Sequence, residues 1–432
     1  MILRFWFNWT QIVAILTLVA CSSGPSVKDT QTGENPAPII ENSEGRTVDA
    51  TDEPTDTRST DFTINRALID AFKLKSASHL TPSDWKTLPD WHIDELSAGA
   101  TTLLQSCVVL KKYLEWAEVC AQAQFLSDAS SDENRQFYET YFTPYTVNNE
   151  DGSSAGMVTG YYEPLLHGSL QPSAEYPYPV FGIPSDLMSI DVNQHPEAKT
   201  FRGVGRLVEE HFTPYFTREE IDRGLARLEG SEILWVKDKI ELFFLQIQGS
   251  GRIQLENGET LRLGFGKTNG HPYRSIGKSL VEKGELKLSE ASMQGIKRWG
   301  QDNPDRIDAL LHENPSYVFF RRLPSNLNGP IGSLGVPLTP NRSIAVDNSF
   351  IPYGFPVFLS TTWPNTTNPL NRLMFAQDKG GAIKGAVRAD YFWGFGESAA
   401  TNAGKMKQRG LMWVLIPKGY STNHSTNATT NN

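Results

Sequence analysis

The stretch AQDKGGAIKGAVRADYFWGFGE, which runs from Ala376 to Glu397, carries the pattern that organises the chain. Two carboxylates, Asp378 and Asp390, lie at the ends of a segment broken by glycines, and Asp347 ends an earlier apolar run. Three Asp residues at the ends of short strands can converge in space. A cluster of like charges with apolar neighbours holds one carboxyl protonated at neutral pH, which general-acid chemistry requires. The alternative is that Asp is simply common at strand ends and turns.

The composition is that of a globular protein with more than one domain. Its 432 residues are 39% hydrophobic and 11% aromatic, which is enough for a packed core and, by length, indicates two or three domains. The net charge of -9 argues against a nucleic-acid partner, because such a partner requires a basic face. The eight His residues are scattered without a paired spacing, so we expect no metal site and no cofactor.

The first residues differ from the rest. Arg4 precedes the apolar run Ile12–Ala20, which is too short to span a bilayer and is typical of a signal peptide over residues 1–20. The run ends in Leu18-Val19-Ala20-Cys21, which resembles the bacterial lipobox, so Cys21 is predicted to carry the lipid anchor. A plain secretory cleavage site is the alternative. Ser22, a residue other than Asp, favours sorting to the outer membrane.

Residues 21–61 are rich in Ser, Thr, Pro and acidic side chains and are predicted to form a disordered linker, and residues 419–432 a disordered tail. Residues 62–142 have a helical pattern, in which Cys107 and Cys120 form either a disulfide or two buried thiols. From Val336 to Pro417, short strands alternate with Gly, Pro and Asn turns, which is the pattern of a small barrel or sandwich.

Two stretches in the middle of the chain suggest ligand contacts. Met157–Pro164 alternates like a strand, and its paired Tyr161 and Tyr162 either fill that strand or form a platform for a flat ligand such as a sugar ring. Phe243–Gln248 is predicted to be a strand with Gln246 and Gln248 on one face, which either face solvent or donate to and accept from sugar hydroxyl and acetamido groups. A turn and a hairpin with an Asn-Gly turn follow, formed by Arg252–Leu255 and Thr260–Phe265.

Four groups of residues now occur in one order along the chain. They are Gly160-Tyr161-Tyr162-Glu163-Pro164, Phe243-Phe244-Leu245-Gln246-Ile247-Gln248-Gly249-Ser250-Gly251, Asn269-Gly270-His271-Pro272-Tyr273, and the set Asp347, Asp378 and Asp390. Together they resemble the membrane-bound lytic murein transglycosylase A family, whose C-terminal part carries a three-Asp module. The resemblance spans roughly Ala155 to Pro417, and the lipobox agrees with it.

The resemblance implies a mainly β fold with N-terminal helices, built as a double-psi β-barrel domain with an inserted second β-rich domain. The barrel domain would be discontinuous, from 62–163 and 322–418, and the inserted substrate-binding domain would cover 164–321. A groove between the two would hold a glycan strand of peptidoglycan. The protein would lie on the periplasmic face of the outer membrane, where cell-wall synthesis or remodelling proteins are candidate partners.

The family's catalytic acid is the last Asp of the motif Asp-x-Gly-Gly-Ala-Ile-Lys-Gly…Asp, which falls on Asp390. Asp378 would be the neighbouring carboxylate, and Asp347 would either act in the same way or tie down its turn. The implied reaction cleaves the glycosidic bond between N-acetylmuramic acid and N-acetylglucosamine and closes a 1,6-anhydro ring with a single acid/base Asp. The residues predicted to contact the glycan are Gly160, Tyr161, Tyr162, Gln246, Gln248, Ser250 and Asn269.

Two other functions remain open from the sequence. In a conventional muramidase, Asp378 and Asp390 would act as a pair of carboxylates and water would be consumed. In a non-catalytic protein, the same fold would bind or loosen the cell wall, because fold alone does not settle activity.

Overall fold

The computed structural model describes residues 72–420, apart from 193–194, 196–198 and 200–201. The predicted signal peptide, the predicted lipidation site Cys21, the predicted linker and the tail from residue 421 lie outside the described residues. Within the described part of the chain, no helix combines the length and the apolar character needed to cross a bilayer.

The N-terminal part is helical, as predicted. Its helices are α1 (Ala100–Leu110), α2 (Leu114–Ala123) and α3 (Ser131–Tyr141), preceded by 3-10 turns at Trp85–Thr87 and Leu96–Gly99. The start of α3 is specified locally, because the Ser130 hydroxyl accepts from the Glu133 amide while the Glu133 carboxylate accepts from the Ser130 amide. A disulfide between Cys107 and Cys120 joins α1 to α2, which decides between the two states that the sequence left open.

An eight-stranded sheet contains both the N-terminal strands and the C-terminal region. Its strands are β1 (Leu80–Pro82), β2 (Phe142–Val147), β3 (Ala155–Glu163), β13 (Ser343–Val346), β14 (Pro356–Thr362), β15 (Pro369–Asp378), β16 (Arg388–Phe395) and β17 (Lys407–Pro417). Their order is β1-β2-β17-β14-β15-β13-β16-β3, and β17 also pairs with β3. Six strands therefore follow one another in a closed ring of pairings. The double-psi connectivity of this ring stays a prediction.

A second, six-stranded sheet lies between β3 and β13 in the sequence. Its order is β12-β11-β10-β4-β9-β5, with β4 at Leu165–Ser169, β5 at Tyr178–Phe181, β9 at Glu232–Val236, β10 at Gly251–Leu255, β11 at Thr260–Thr268 and β12 at Val318–Leu323. A three-stranded sheet is formed by β6 (Met188–Ser189), β7 (Val204–Val208) and β8 (His211–Pro214). The protein is thus mainly β with some helices, and only Pro164 separates β3 of the first sheet from β4 of the second.

The helices of this middle region are α4 (Arg218–Asp222), α5 (Lys239–Gln248), α6 (Ile276–Glu282), α7 (Met293–Asp302) and α8 (Ile307–His312), with 3-10 turns at Leu288–Glu290 and Pro304–Arg306. The last helix of the chain, α9 (Glu397–Lys405), follows β16. The predicted hairpin is confirmed: β10 and β11 pair antiparallel, and Gly258 in the turn has a φ of 84°.

The prediction of a strand over Phe243–Gln248 was wrong, because these residues form the second half of α5. The helix is buried on two sides: Leu242 and Leu245 pack in the core under the six-stranded sheet, and Ile240 and Phe243 pack among α6, α7 and α8. Apolar residues on both sides hide the helical period. The better signals were the ends, where Asp238 caps the first turn and Gly249 adopts a φ of 77°.

Gly160 lies where β3 packs against Trp393 of β16 and against α9. A Cβ at this position would lie 2.6 Å from Trp393 Nε1 and 2.9 Å from the Ala403 Cα. Neither neighbour is the free end of a flexible side chain, so the backbones can approach only if residue 160 has no side chain. This packing, rather than the predicted glycan contact, accounts for the glycine.

Gly160→Ala is therefore expected to destabilise the protein by about 1–3 kcal/mol, because the added methyl group overpacks a closed site. The matched control is Gly381→Ala, where a Cβ would meet nothing within 4 Å. Urea denaturation of the full chain measures both variants. Equal stability of the two would contradict this explanation of Gly160.

Candidate active site

Strand β13 brings the two main carboxylates together. Ala345 of β13 pairs with Asp390 of β16 on one side and with Asp378 of β15 on the other. Neighbouring strands are about 4.8 Å apart, so the two Asp backbones are separated by two strand spacings, although twelve positions separate them in the sequence. The glycine-rich segment Lys379–Val387 makes the connection from one strand to the other.

Asp390 is partly buried on β16 and has one strong hydrogen bond. Thr159 of the neighbouring strand β3 pairs with Asp390, and its hydroxyl donates to Asp390 Oδ1 at 2.6 Å. Burial raises the pKa of Asp390 to about 6, and the negative charge of Asp378 adds to that rise, while the Thr159 hydrogen bond and the charge of Arg388 oppose it. Asp390 is thus a carboxyl that can hold a proton close to neutral pH.

Asp378 is engaged at both oxygens. The amide and the hydroxyl of Ser333 each donate to Oδ1 at 2.9 Å, and the Tyr161 hydroxyl donates to Oδ2 at 3.2 Å. Burial raises the pKa of Asp378, and the hydrogen bonds from Lys379, Ser333 and Tyr161 oppose that rise. All of these hydrogen bonds favour the charged carboxylate.

The Tyr161 hydroxyl lies close enough to both Asp378 and Asp390 to interact with the charge of each. Burial raises the pKa of its hydroxyl well above the ordinary value, and the charges of Asp378 and Asp390 raise it further. Its ring packs against Phe392, with centroids 5.1 Å apart. Tyr161 therefore stays protonated and can act as a hydrogen-bond donor at this site.

Asp347 is buried and holds a turn. Its Oδ1 accepts from the Ser349 amide and its Oδ2 from the Gly385 amide, both at 3.1 Å. These bonds tie the turn after β13 to the glycine-rich segment before β16. They agree with the second of the two roles considered for Asp347, that of fixing its turn.

Three of the predicted glycan contacts, Gln246, Asn269 and Tyr162, are buried and must be corrected. Gln246 is buried, and its amide oxygen accepts from the Arg218 guanidinium at 2.5 Å. Asn269 is completely buried: its amide group donates to the carbonyls of Phe216 and Pro315, and its amide oxygen accepts from the Tyr317 amide at 2.9 Å. The amide oxygen of Gln246 and both ends of the Asn269 amide are used within the fold, and both side chains are buried, so neither residue is available to a sugar.

Tyr162 is also buried, and its hydroxyl contacts the Met293 sulfur at 3.5 Å. The backbone amide of Tyr162 donates to the side-chain oxygen of Gln248 at 3.2 Å. Gln246 and Gln248 do not share a face, because residues two apart on a helix point in nearly opposite directions. Tyr161, Gln248 and Ser250, which are partly exposed, stay predicted glycan contacts.

Three residues of the site were missed from the sequence: Thr159, Ser333 and Arg388. Thr159 and Ser333 act through contacts with residues 231 and 45 positions away, and long-range contacts of this kind cannot be read from one sequence. A usable signal existed only for Arg388, since residues two apart on a strand share a face and Arg388 lies two positions before Asp390.

A buried ion pair joins the end of β3 to the six-stranded sheet. Glu163 accepts from Arg262 at 3.1 Å and from Arg252 at 2.9 Å. The Arg252 guanidinium also stacks on Phe395 at the end of β16, 3.9 Å from the ring centroid. Strands β3 and β16, which carry Thr159 and Asp390, are thus held to β10 and β11 at one end.

Among the described residues, no group of three or more His, Cys, Asp or Glu could hold a metal ion.

Comparison with known proteins assigns the two regions of the chain. Residues 157–321 match the family model described as the MltA specific insert domain, and residues 342–416 match the 3D domain model. The membrane-bound lytic murein transglycosylase A of Escherichia coli K12 is 33% identical over 278 residues, which cover 63% of this chain and 68% of that protein. The chain belongs to the membrane-bound lytic murein transglycosylase A family.

Other members of this family agree. The protein of that name from Vibrio cholerae is 31% identical over 60% of this chain, and the match spans 65% of its length, slightly less than two thirds. The crystal structure of MltA from Neisseria gonorrhoeae has a TM-score of 0.70 and 39% identity, and the match covers 79% of this chain and 93% of that one. E. coli MltA with bound chitohexaose has a TM-score of 0.60 and 25% identity, with 80% of this chain and 97% of that one covered.

The titration of Asp390 makes stability depend on pH. The pKa of this carboxyl is about 6 in the folded protein against an ordinary value of 3.8, so the folded state binds the proton more tightly than the unfolded chain. The free energy of unfolding contributed by Asp390 therefore falls as pH rises from about 4 to about 6 and stays low above that range.

Asp390→Asn removes this titration. Its stability relative to wild type should increase as pH rises through that window and then level off, as measured by urea denaturation at several pH values. Asp305→Asn, at an exposed position, serves as the control and should show no such trend. A stability difference for Asp390→Asn that is independent of pH would contradict the raised pKa.

Proposed function

We propose that this protein is a lytic transglycosylase that cleaves the β-1,4 bond between N-acetylmuramic acid and N-acetylglucosamine in peptidoglycan, with Asp390 as the single acid and base. The observation that carries the proposal is the contrast between the two carboxyl groups. Asp390 has a pKa of about 6 and one hydrogen bond, at Oδ1, whereas Asp378 receives donors at both of its oxygens.

The first step uses protonated Asp390 as the general acid. Its proton passes to the glycosidic oxygen as the bond from that oxygen to C1 of the muramic acid breaks, and positive charge develops at C1. N-acetylglucosamine leaves with its hydroxyl restored, and Asp390 is left as a carboxylate. Tyr161 stays protonated, and the Asp378 carboxylate supplies negative charge close to the developing cation.

The second step uses the same Asp390 carboxylate as the base. It takes the proton from the C6 hydroxyl of the muramic acid, and that oxygen forms a bond to C1, which closes the 1,6-anhydro ring. Asp390 is protonated again, and the two products together have the atoms of the substrate. No water is consumed, because the nucleophile belongs to the sugar and is already placed.

Asp378 is poorly suited to be the second carboxylate of a conventional glycosidase. A nucleophile or base needs a lone pair directed at the substrate or at a water molecule. Three donors from Ser333 and Tyr161 occupy the oxygens of Asp378. We assign to it the role of a fixed negative charge that raises the pKa of Asp390, and to Asp347 the role of holding the turn.

The proposed substrate is a β-1,4-linked amino-sugar chain. The related E. coli MltA binds chitohexaose, which is an oligomer of this kind. Tyr161, Gln248 and Ser250 are the proposed contacts in a groove between a barrel domain, 62–163 with 322–418, and an inserted domain, 164–321. The relatives are named membrane-bound, and we propose that lipidated Cys21 anchors this protein at the periplasmic face of the outer membrane.

The test is product analysis of purified sacculi by mass spectrometry. Wild type should release 1,6-anhydro muropeptides, and Asp390→Asn should lower the rate by about 10²- to 10⁴-fold, because the acid and base are removed. Asp378→Asn should retain activity, with the alkaline limb of its pH–rate profile moved to lower pH because a negative charge near Asp390 is lost. The exposed control Asp305→Asn should match wild type.

Each alternative function has its own outcome. Reducing-end muropeptides in place of anhydro products would indicate a hydrolase with two carboxylates. Binding to sacculi without any release would indicate a non-catalytic wall-binding protein. Full activity of a folded Asp390→Asn variant would overturn the assignment of the acid.

A further inference from the structure

A chain of two hydrogen bonds leads from Arg388 to the proposed acid. One guanidinium nitrogen of Arg388 donates to the Thr159 hydroxyl oxygen at 2.9 Å, and the Thr159 hydroxyl lies 2.6 Å from Asp390 Oδ1. Arg388 also donates to the carbonyl of Met157 at 3.2 Å. The strand register explains this arrangement, because Arg388 pairs with Met157 and Asp390 pairs with Thr159 across β3 and β16.

The direction of these hydrogen bonds follows from the chemistry of the groups. A guanidinium has only donors, so the Thr159 oxygen must accept from Arg388. In this structure the single hydroxyl proton of Thr159 points at Asp390, and Oδ1 accepts that hydrogen bond. While Thr159 donates to Oδ1, the acid proton of Asp390 lies on Oδ2. Within the described residues, no hydrogen bond reaches Oδ2.

We propose that Arg388 is a positioning residue that acts through Thr159 to place the acid proton of Asp390 on Oδ2 and to stabilise the carboxylate formed when that proton leaves. This inference rests on the proposed function and adds to it the oxygen that delivers and recovers the proton. A charge-assisted chain of this kind also keeps the carboxyl group from rotating between the two steps.

The titratable groups that face Asp390 come from three strands, and two of them are charged. Arg388 of β16 favours the carboxylate, whereas Asp378 of β15 favours the protonated form, and Tyr161 of β3 is a neutral donor near both carboxyl groups. The remaining neighbour, β13, places the apolar Ala345 opposite Asp390. Arg388 is thus the cation that offsets both the burial of Asp390 and the charge of Asp378.

The test combines the pH–rate profile with a titration of the Asp390 carboxyl carbon by NMR in full-length protein. Arg388→Met and Thr159→Val should each move the alkaline limb and the NMR pKa of Asp390 upward by about one pH unit, because a group that favours the carboxylate is lost. Thr159→Ser keeps the hydroxyl and should restore the parent profile. Arg409→Met removes an exposed cation that pairs with Met157 on the other edge of β3 and should leave the profile unchanged.

The double variant Arg388→Met with Thr159→Val distinguishes an effect of Arg388 that passes through Thr159 from two independent effects on Asp390. If Arg388 acts through Thr159, the double variant shifts the pKa by clearly less than the sum of the single shifts. Full additivity, or equal shifts for Arg388→Met and Arg409→Met, would overturn the proposal. Failure of the parent protein to release anhydro products would refute the proposed function instead, and the NMR titration would still test whether Arg388 acts through Thr159.

Discussion

The active-site geometry depends on the double pairing of β13. All four of its residues, Ser343–Val346, are buried, and the strand pairs in parallel with β15 and antiparallel with β16. A one-residue shift in the pairing of β13 with β15 would turn Asp378 to the opposite face of the sheet, and a shift in its pairing with β16 would do the same to Asp390. The buried side chains of β13 make such a slip costly, so the hydrophobic core sets the relative positions of Asp378 and Asp390.

This arrangement places a carboxyl group where the fold would be more stable without its charge. Burial raises the pKa of Asp390, and Asp378 raises it further. Burial also raises the pKa of Asp378, and the hydrogen bonds from Ser333 and Tyr161 oppose that rise. The site thus contains two Asp side chains in different environments. Asp378 and Asp390 differ in their hydrogen bonding and not in residue type.

Much of the fold was predictable where the signal is local. The Ser130–Glu133 capping box and the Asn257-Gly258 hairpin are specified by residues within a few positions, and the hairpin was predicted correctly from its Asn-Gly turn. Helix α5 was not, because it is apolar on two sides and its period is hidden. The burial of Asn269 could not be predicted either, since its partners are 46 to 53 positions away.

The candidate site shows the same division. Asp378 and Asp390 stand out in the sequence because glycines and aromatic residues surround them, but Thr159 has no local feature that connects it with Asp390. The connection exists only through the β3–β16 register. Sequence reasoning therefore identified the proposed acid, Asp390, and missed the residues that form hydrogen bonds with the two carboxyl groups.

The central claim is that one carboxyl group serves both steps and that the sugar supplies the nucleophile. Digestion of sacculi in water enriched in oxygen-18 tests it most directly. The account predicts anhydro products whose masses are the same in ordinary and in labelled water, because no oxygen from the solvent enters the new bond. Products that gain a water molecule carrying the heavy isotope would contradict it.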